Sequence, residues 1–225
     1  MGDSGVSAIG ARIRAERERR GISVRGLARD VGVSPSLISQ IETSKSLPSV
    51  STLYAITTAL NVPVDEIFDP PSTDGAAPAG DGPDGSGPPQ GASTIATDAA
   101  RAAGAPPRDR EHKASPHLCP ADREELTLDS GVVWERLGQL PGQHVEFLRI
   151  TYSPGATSSS SGDLMRHQGT EYGYLLSGAL VLSLGFDEHR MAAGDSVCFD
   201  STTPHGYRNE GNEPAIGVWF VVEDA

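Results

Sequence analysis

Seven arginines fall between residues 12 and 29, against Glu16 and Glu18 and no other acid. Local positive charge of this kind suits phosphate oxygens, whose neutralisation supplies most non-specific affinity for nucleic acid. Shortly after comes a run in which Ser36, Ser39 and Gln40 alternate with Leu37, Ile38 and Ile41. A glutamine amide can bond bidentately to adenine in the major groove, and serine hydroxyls bond base edges less selectively. The chemistry on offer is hydrogen bonding to a polyanion, provided that a helix holds those polar side chains on one outward face.

The surrounding pattern supplies such helices. Ile9, Ile13 and Arg17 recur at a spacing of four, and Gly21 suits the left-handed position that ends a helix. Ser23 is placed to cap a second helix, Val24–Val31, which buries Val24, Leu27, Ala28 and Val31. Gly32-Val33 makes a tight turn. Ser34 caps a third helix, with Pro35 at its first position, where a missing N–H costs nothing. Pro48-Ser49 starts a fourth helix that buries Val50, Leu53, Ile56 and Leu60, and Val64, Ile67 and Phe68 form a short fifth. Two short helices joined by a glycine-containing turn describe a helix-turn-helix.

The character of the chain changes twice beyond this region. From 70 to 107, 25 of 38 residues are Gly, Pro or Ala, and no aromatic residue occurs between Phe68 and Trp134. Such a segment buries too little apolar area to offset its chain entropy, so 70–115 is expected to be a flexible linker. From about Leu118 short β-rich runs alternate with Gly, Pro, Asp and Asn. Val145–Tyr152, Tyr174–Leu176, Ala179–Leu184, Ser196–Phe199 and Ala215–Val222 are rich in β-branched, aromatic and aliphatic residues. Thr157–Gly162 is small and polar, and is expected to be a mobile loop near a barrel mouth. The expected domains are therefore 8–69, the linker 70–115, and 116–225.

Charge separates along the same lines. The chain carries a net −12, but residues 1–70 balance eight basic against eight acidic side chains, whereas 116–225 carry six against sixteen. An acidic C-terminal domain is repelled by phosphate, which leaves DNA to the N-terminal one. No apolar run approaches the ~18 residues of a membrane span. Two cysteines, Cys119 and Cys198, are too few for a disulfide framework, and no signal segment is evident, so a cytoplasmic protein with ordinary thiols is expected.

The stretch GISVRGLARDVGVSPSLISQIETSKSLPSVSTLYAITTALNVPVDEIF resembles the DNA-binding domain of phage repressors and of the larger XRE family of regulators. The match covers about 60 residues, with the turn glycine, the second-helix alanine, Gln-Ile-Glu and Pro-Ser at the family's spacings. The resemblance implies a five-helix bundle whose third helix enters the major groove of double-stranded DNA. It places Pro35, Ser36, Ser39 and Gln40 against base edges, and Ser23, Arg25, Ser44 and Lys45 near phosphates. Arg17 and Glu42 occupy positions where the family often has a buried ion pair. The reading face lacks arginine, so DNA shape is expected to contribute to discrimination.

RHQGTEYGYLLSGAL and GDSVCFDSTTPHGYRN together resemble the two cupin motifs, H-x-H-x₃-E-x₆-G and G-D-x₃-F-x₄-P-H-x₃-N. His167, Glu171 and Gly178 match the first; Gly194, Asp195, Phe199, Pro204, His205 and Asn209 match the second. The resemblance implies an all-β, jelly-roll-type barrel, so that the whole chain is an α + β protein of two domains. In cupin enzymes the first motif's second histidine and its glutamate join the second motif's histidine on a metal, with a further histidine where this chain has Met165. His167, Glu171 and His205 then remain as a facial triad for iron, zinc or nickel, or as a metal-free polar pocket. Met165 is expected to pack as pocket wall, since a thioether is a poor ligand for hard ions. Tyr172, Tyr174, Tyr207 and Trp219 are further pocket candidates by motif position. His112, His117, His144 and His189 fall outside any ligand spacing.

The pairing of these two resemblances matches a large family of bacterial regulators. It implies a homodimer on a palindromic site and a small-molecule effector acting by differential affinity. The alternative is a mononuclear iron enzyme of the hydroxypropylphosphonate epoxidase kind, which also joins such domains and uses His-x₃-Glu with a distant His.

Overall fold

The computed structural model describes residues 4–68, 117–140, 143 and 145–222. The expected linker, with His112 and His144, lies outside the described residues. The N-terminal region holds α1 (Ser4–Arg19), α2 (Val24–Val31), α3 (Pro35–Glu42) and α4 (Val50–Leu60). The fifth element, α5 (Asp65–Phe68), is a single turn of four residues, so the bundle has four full helices rather than the expected five.

The caps fall where side-chain chemistry places them. The hydroxyls of Ser23, Ser34 and Ser49 accept the amides of Gly26, Leu37 and Thr52, satisfying donors that the first turn leaves open. Gly32 closes α2 in the left-handed conformation at φ 79°. Ile13, Leu27, Ile38, Leu53, Ile56 and Leu60 are fully buried between the helices. Gly10 lets α1 approach α3: a Cβ there would lie 2.2 Å from the Ile41 carbonyl oxygen. Arg17 donates from Nε and Nη2 to the two oxygens of Glu42 at 2.5 and 2.9 Å, and from Nη1 to the Ile22 carbonyl at 2.8 Å. This fork is buried and pins α1 to the end of α3.

The C-terminal region is built from β1 (Glu125–Thr127), β2 (Val132–Gly138), β3 (Val145–Tyr152), β4 (Thr170–Ser177), β5 (Ala179–Leu184), β6 (Asp187–Ala192), β7 (Ser196–Asp200), β8 (His205–Arg208) and β9 (Ala215–Val222). Six strands form one sheet in the order β1-β2-β3-β9-β4-β7, and three form another in the order β6-β5-β8. Strand alternation sends Trp134, Leu148, Ile150, Tyr152 and Trp219 inward, where all are buried. Gly173 faces inward beneath Trp219; a Cβ on it would come within 2.7 Å of the indole nitrogen.

The helical region and the barrel belong to one compact unit. Their contact is made by α4 and the residues around it and by α1 against β1. The Ser51 amide donates to the Ser158 carbonyl at 3.0 Å, and the Asp129 amide to the Pro48 carbonyl at 2.9 Å. Tyr54 meets Trp134 edge-on at 5.9 Å, and Phe68 stacks on Trp134 at 6.5 Å with the Arg136 guanidinium over its ring at 5.3 Å. In the Thr157–Gly162 run, Ser160, Ser161 and Gly162 are exposed, whereas the middle of the run is not. Ser158 and Ser159 are buried, and the Ser158 hydroxyl accepts the Tyr207 amide, so the polar side chains serve hydrogen bonds within the wall.

Candidate functional site

Two places hold side chains suited to chemistry. The first is the outward side of α3. Pro35, Ser36, Ser39 and Gln40 are all exposed there, because Leu37, Ile38 and Ile41 take the inward positions of the helix. The Gln40 amide reaches back to the Ser36 hydroxyl at 3.5 Å. Ser23, Arg25 and Lys45 are exposed nearby, and Ser44 is half-buried with φ 56° at the turn after α3. The sequence-predicted DNA contacts are therefore solvent-facing, apart from the half-buried Ser44. Arg17 and Glu42 do not join them; they are held in their buried fork.

The second place is the barrel interior. His167 lies on the segment entering β4, Glu171 on β4, and His205 at the start of β8, where Met165 and His205 exchange both backbone hydrogen bonds. All three polar side chains are buried. The Nε2 atoms of His167 and His205 stand 3.6 and 3.4 Å from Glu171 Oε2, and neither makes a hydrogen bond. Their outer nitrogens are engaged: His167 Nδ1 with the Gln168 carbonyl at 3.2 Å, His205 Nδ1 with the Thr203 carbonyl at 2.8 Å. A carbonyl only accepts, so each Nδ1 carries the proton and, in the neutral ring, each Nε2 presents a lone pair. The second carboxylate oxygen accepts the Tyr207 hydroxyl at 2.6 Å, and Trp219 donates to that same hydroxyl at 3.3 Å.

Three lone-pair atoms thus converge on one point, each steadied from behind. Burial alone would raise the Glu171 pKa; the flanking His167 and His205, with the Tyr207 hydroxyl, outweigh it and hold the carboxyl at about 2. Burial, reinforced by the Glu171 charge, pushes the Tyr207 phenol well above its ordinary range, so it remains a donor. Two buried acceptors beside an anion suit a cation placed among the three. His167, Glu171 and His205 form a metal-competent group among the described residues, with ligand atoms within 4.8 Å of one another. Two imidazoles, one carboxylate and a hydrogen bond behind each fit a divalent transition metal.

A cavity of about 20 Å³ adjoins this centre, lined by Glu171, Met165, Tyr207, Trp219, Trp134 and Tyr152 among others. Met165 is wall, as expected. Tyr172 and Tyr174 are not part of it. With Glu171 inward on β4, alternation turns 172 and 174 outward, and both are about half exposed. The sequence reading missed the strand residues Trp134, Leu148, Ile150, Tyr152 and Val221, and also Val50 and Tyr54, which come from α4. The Tyr54 ring lies parallel on the His167 ring at 4.0 Å, and its hydroxyl donates to Glu146 at 2.7 Å. Burial, then the Glu146 carboxylate, pushes the Tyr54 phenol well up.

Comparison with known proteins agrees with both halves. The helix-turn-helix family model matches residues 13–67, and the cupin domain model matches 148–221. This chain joins an XRE-type helix-turn-helix domain to a cupin domain. It is homologous to the HTH-type transcriptional regulator PuuR of Escherichia coli K12, being 26% identical over 211 residues, which cover 93% of this chain and 91% of that one. The helix-turn-helix half is 44% identical over 57 residues to the regulator SutR of the same organism, covering 25% of this chain and 32% of SutR. A crystal structure of an HTH_3 family transcriptional regulator from Vibrio cholerae is similar over 98% of both chains, with a TM-score of 0.60 and 19% identity, which shows the fold. Among the described residues no helix of this XRE–cupin protein is long and apolar enough to cross a membrane.

Proposed function

We propose that this XRE–cupin chain is a sequence-specific DNA-binding transcriptional regulator whose barrel senses a small-molecule effector. The observation that carries the reading is the pairing of an exposed polar face on α3 with a buried, three-acceptor centre in the barrel. Ser36, Ser39 and Gln40 read base edges, while Ser23 and Arg25 at the start of α2, with Ser44 and Lys45 in the turn after α3, meet phosphates. His167, Glu171 and His205 hold a divalent cation or form a metal-free polar pocket. A bound cation would supply a Lewis-acidic anchor for an effector oxygen or nitrogen. Glu171 is oriented by Tyr207, and the two imidazoles are oriented by their carbonyl partners. Domain boundaries at 8–69 and 116–225, a homodimer on a palindrome, and a cytoplasmic location complete the proposal.

Fluorescence anisotropy on DNA from the protein's own promoter region, against scrambled DNA at two salt concentrations, tests it. A regulator shows a preference of about a thousandfold or more, weakened by salt. Equal weak binding to both DNAs, joined with stoichiometric iron and substrate-dependent oxygen uptake, would favour the iron-enzyme reading. His-x₃-Glu with a distant His is the feature that supports that second reading.

A further inference from the structure

The space beside Glu171 is about 20 Å³, room for one water-sized molecule. Any organic effector larger than that must displace part of the wall. Most of the wall is strand core: Trp134, Tyr152, Tyr207 and Trp219 are each held within the hydrogen-bonded sheets and are almost fully buried. Val50 and Tyr54 differ, because they come from the helix-turn-helix domain and reach the barrel only by docking. Among the described residues, docking includes the hydrogen bonds of the Tyr54 hydroxyl to Glu146, the Ser51 amide to Ser158 and the Asp129 amide to Pro48, with ring contacts of Tyr54 to His167 and Trp134, of Phe68 to Trp134 and Arg136, and packing of α1 on β1. The part of the wall that yields most readily is therefore the DNA-binding domain itself.

Resting on the effector-sensing reading, we propose that Tyr54 is a stopper in the barrel mouth, and that an effector bound beside His167 and Glu171 takes its place and releases α4. Docking and effector binding are then competing states of one pocket, so the effector's affinity for the open barrel sets how far the domain is freed. The occupant is an aromatic or similarly flat molecule with a hydrogen-bond donor, because it replaces a phenol that stacks on His167 and donates to Glu146. Signal transfer requires no geometry from residues 70–115; the ligand and the DNA-binding domain meet at a shared surface.

The probe is p-cresol, the tyrosine side chain as a free molecule, added to the full chain and followed by NMR. The Ser51 and Asp129 amides report docking, since the contact between the domains provides their hydrogen bonds. Tyr54→Ala is expected to bind p-cresol about tenfold or more tightly than the wild type, because the internal competitor is gone. In the wild type, saturating p-cresol is expected to speed exchange at Ser51 and Asp129 by about tenfold, with Ile56 inside α4 unchanged. Binding to Tyr54→Ala alone also supports the stopper, as the intact side chain then outcompetes the probe. Tyr54→Phe guards against misfolding: it keeps the ring, loses the bond to Glu146, and is expected to speed exchange of the same amides about fivefold. No gain of p-cresol binding in Tyr54→Ala, or wild-type binding that leaves both amides protected, would overturn the proposal. Failure of the effector reading shows elsewhere, as DNA affinity that no barrel occupant changes, and the cresol and exchange results stand independently of it.

Discussion

Helices α3 and α4 belong to the same bundle and turn outward in opposite chemical senses. The outward side of α3 is exposed and polar, carrying Ser36, Ser39 and Gln40. The outward side of α4 is apolar and covered, with Val50 and Tyr54 only 2% and 5% exposed against the barrel. One small core therefore supports two working faces, one open to a macromolecule and one committed within the chain. Both helices begin with a capping serine and both pack on α2, so neither length nor capping separates them; what stands outside the core positions does.

The comparison can be broken most forcefully at its common support. Arg17→Ala leaves Glu42 buried without its partner and should cost about 3–5 kcal/mol, measured by denaturant unfolding followed at each domain. Loss confined to the barrel would contradict the assignment of this fork to the bundle. Gln40→Ala tests the open face: discrimination between preferred and altered sites should fall by about 1–3 kcal/mol in DNA titrations, with metal affinity of the barrel unchanged. Tyr207→Phe tests the closed interior. Removing the donor behind Glu171 should weaken divalent metal binding by about tenfold in equilibrium dialysis, with the DNA salt dependence untouched. The smallest expected effect is Lys45→Ala, which should reduce the salt slope of DNA binding by about one while affecting all sequences alike.

Much of this was legible from the chain. Ser34 followed by Pro35 announces the start of α3, because both residues suit a helix N-terminus and nothing in the tertiary structure opposes them. His167, Glu171 and His205 were recoverable from motif spacing, since strands of fixed period bring fixed positions to the same interior. The same period could have excluded Tyr174: once Glu171 points inward, its even-numbered neighbours on β4 point out. Motif position taken without strand parity put Tyr172 and Tyr174 in the pocket. Tyr54 was illegible for a different reason. Its partners, Glu146 and His167, lie far along the chain, and a tyrosine among Leu53, Ile56 and Leu60 reads as ordinary helix core. The burial of Ser158 and Ser159 was not legible because small polar residues suit a free loop and a hydrogen-bonded wall equally well. The single-turn α5 shows that apolar spacing marks where a chain touches a core without fixing how many turns it makes there.

A cavity whose wall is drawn from two domains also constrains how this protein can be recombined. Grafting the barrel onto another reader would remove Val50 and Tyr54 and so alter what the barrel accepts, although no barrel residue had changed. Conversely, drift at positions 50 and 54 offers a route to a reshaped cavity that leaves the strands, and the polar centre they hold, intact. The two domains are modular in fold and inseparable in inheritance.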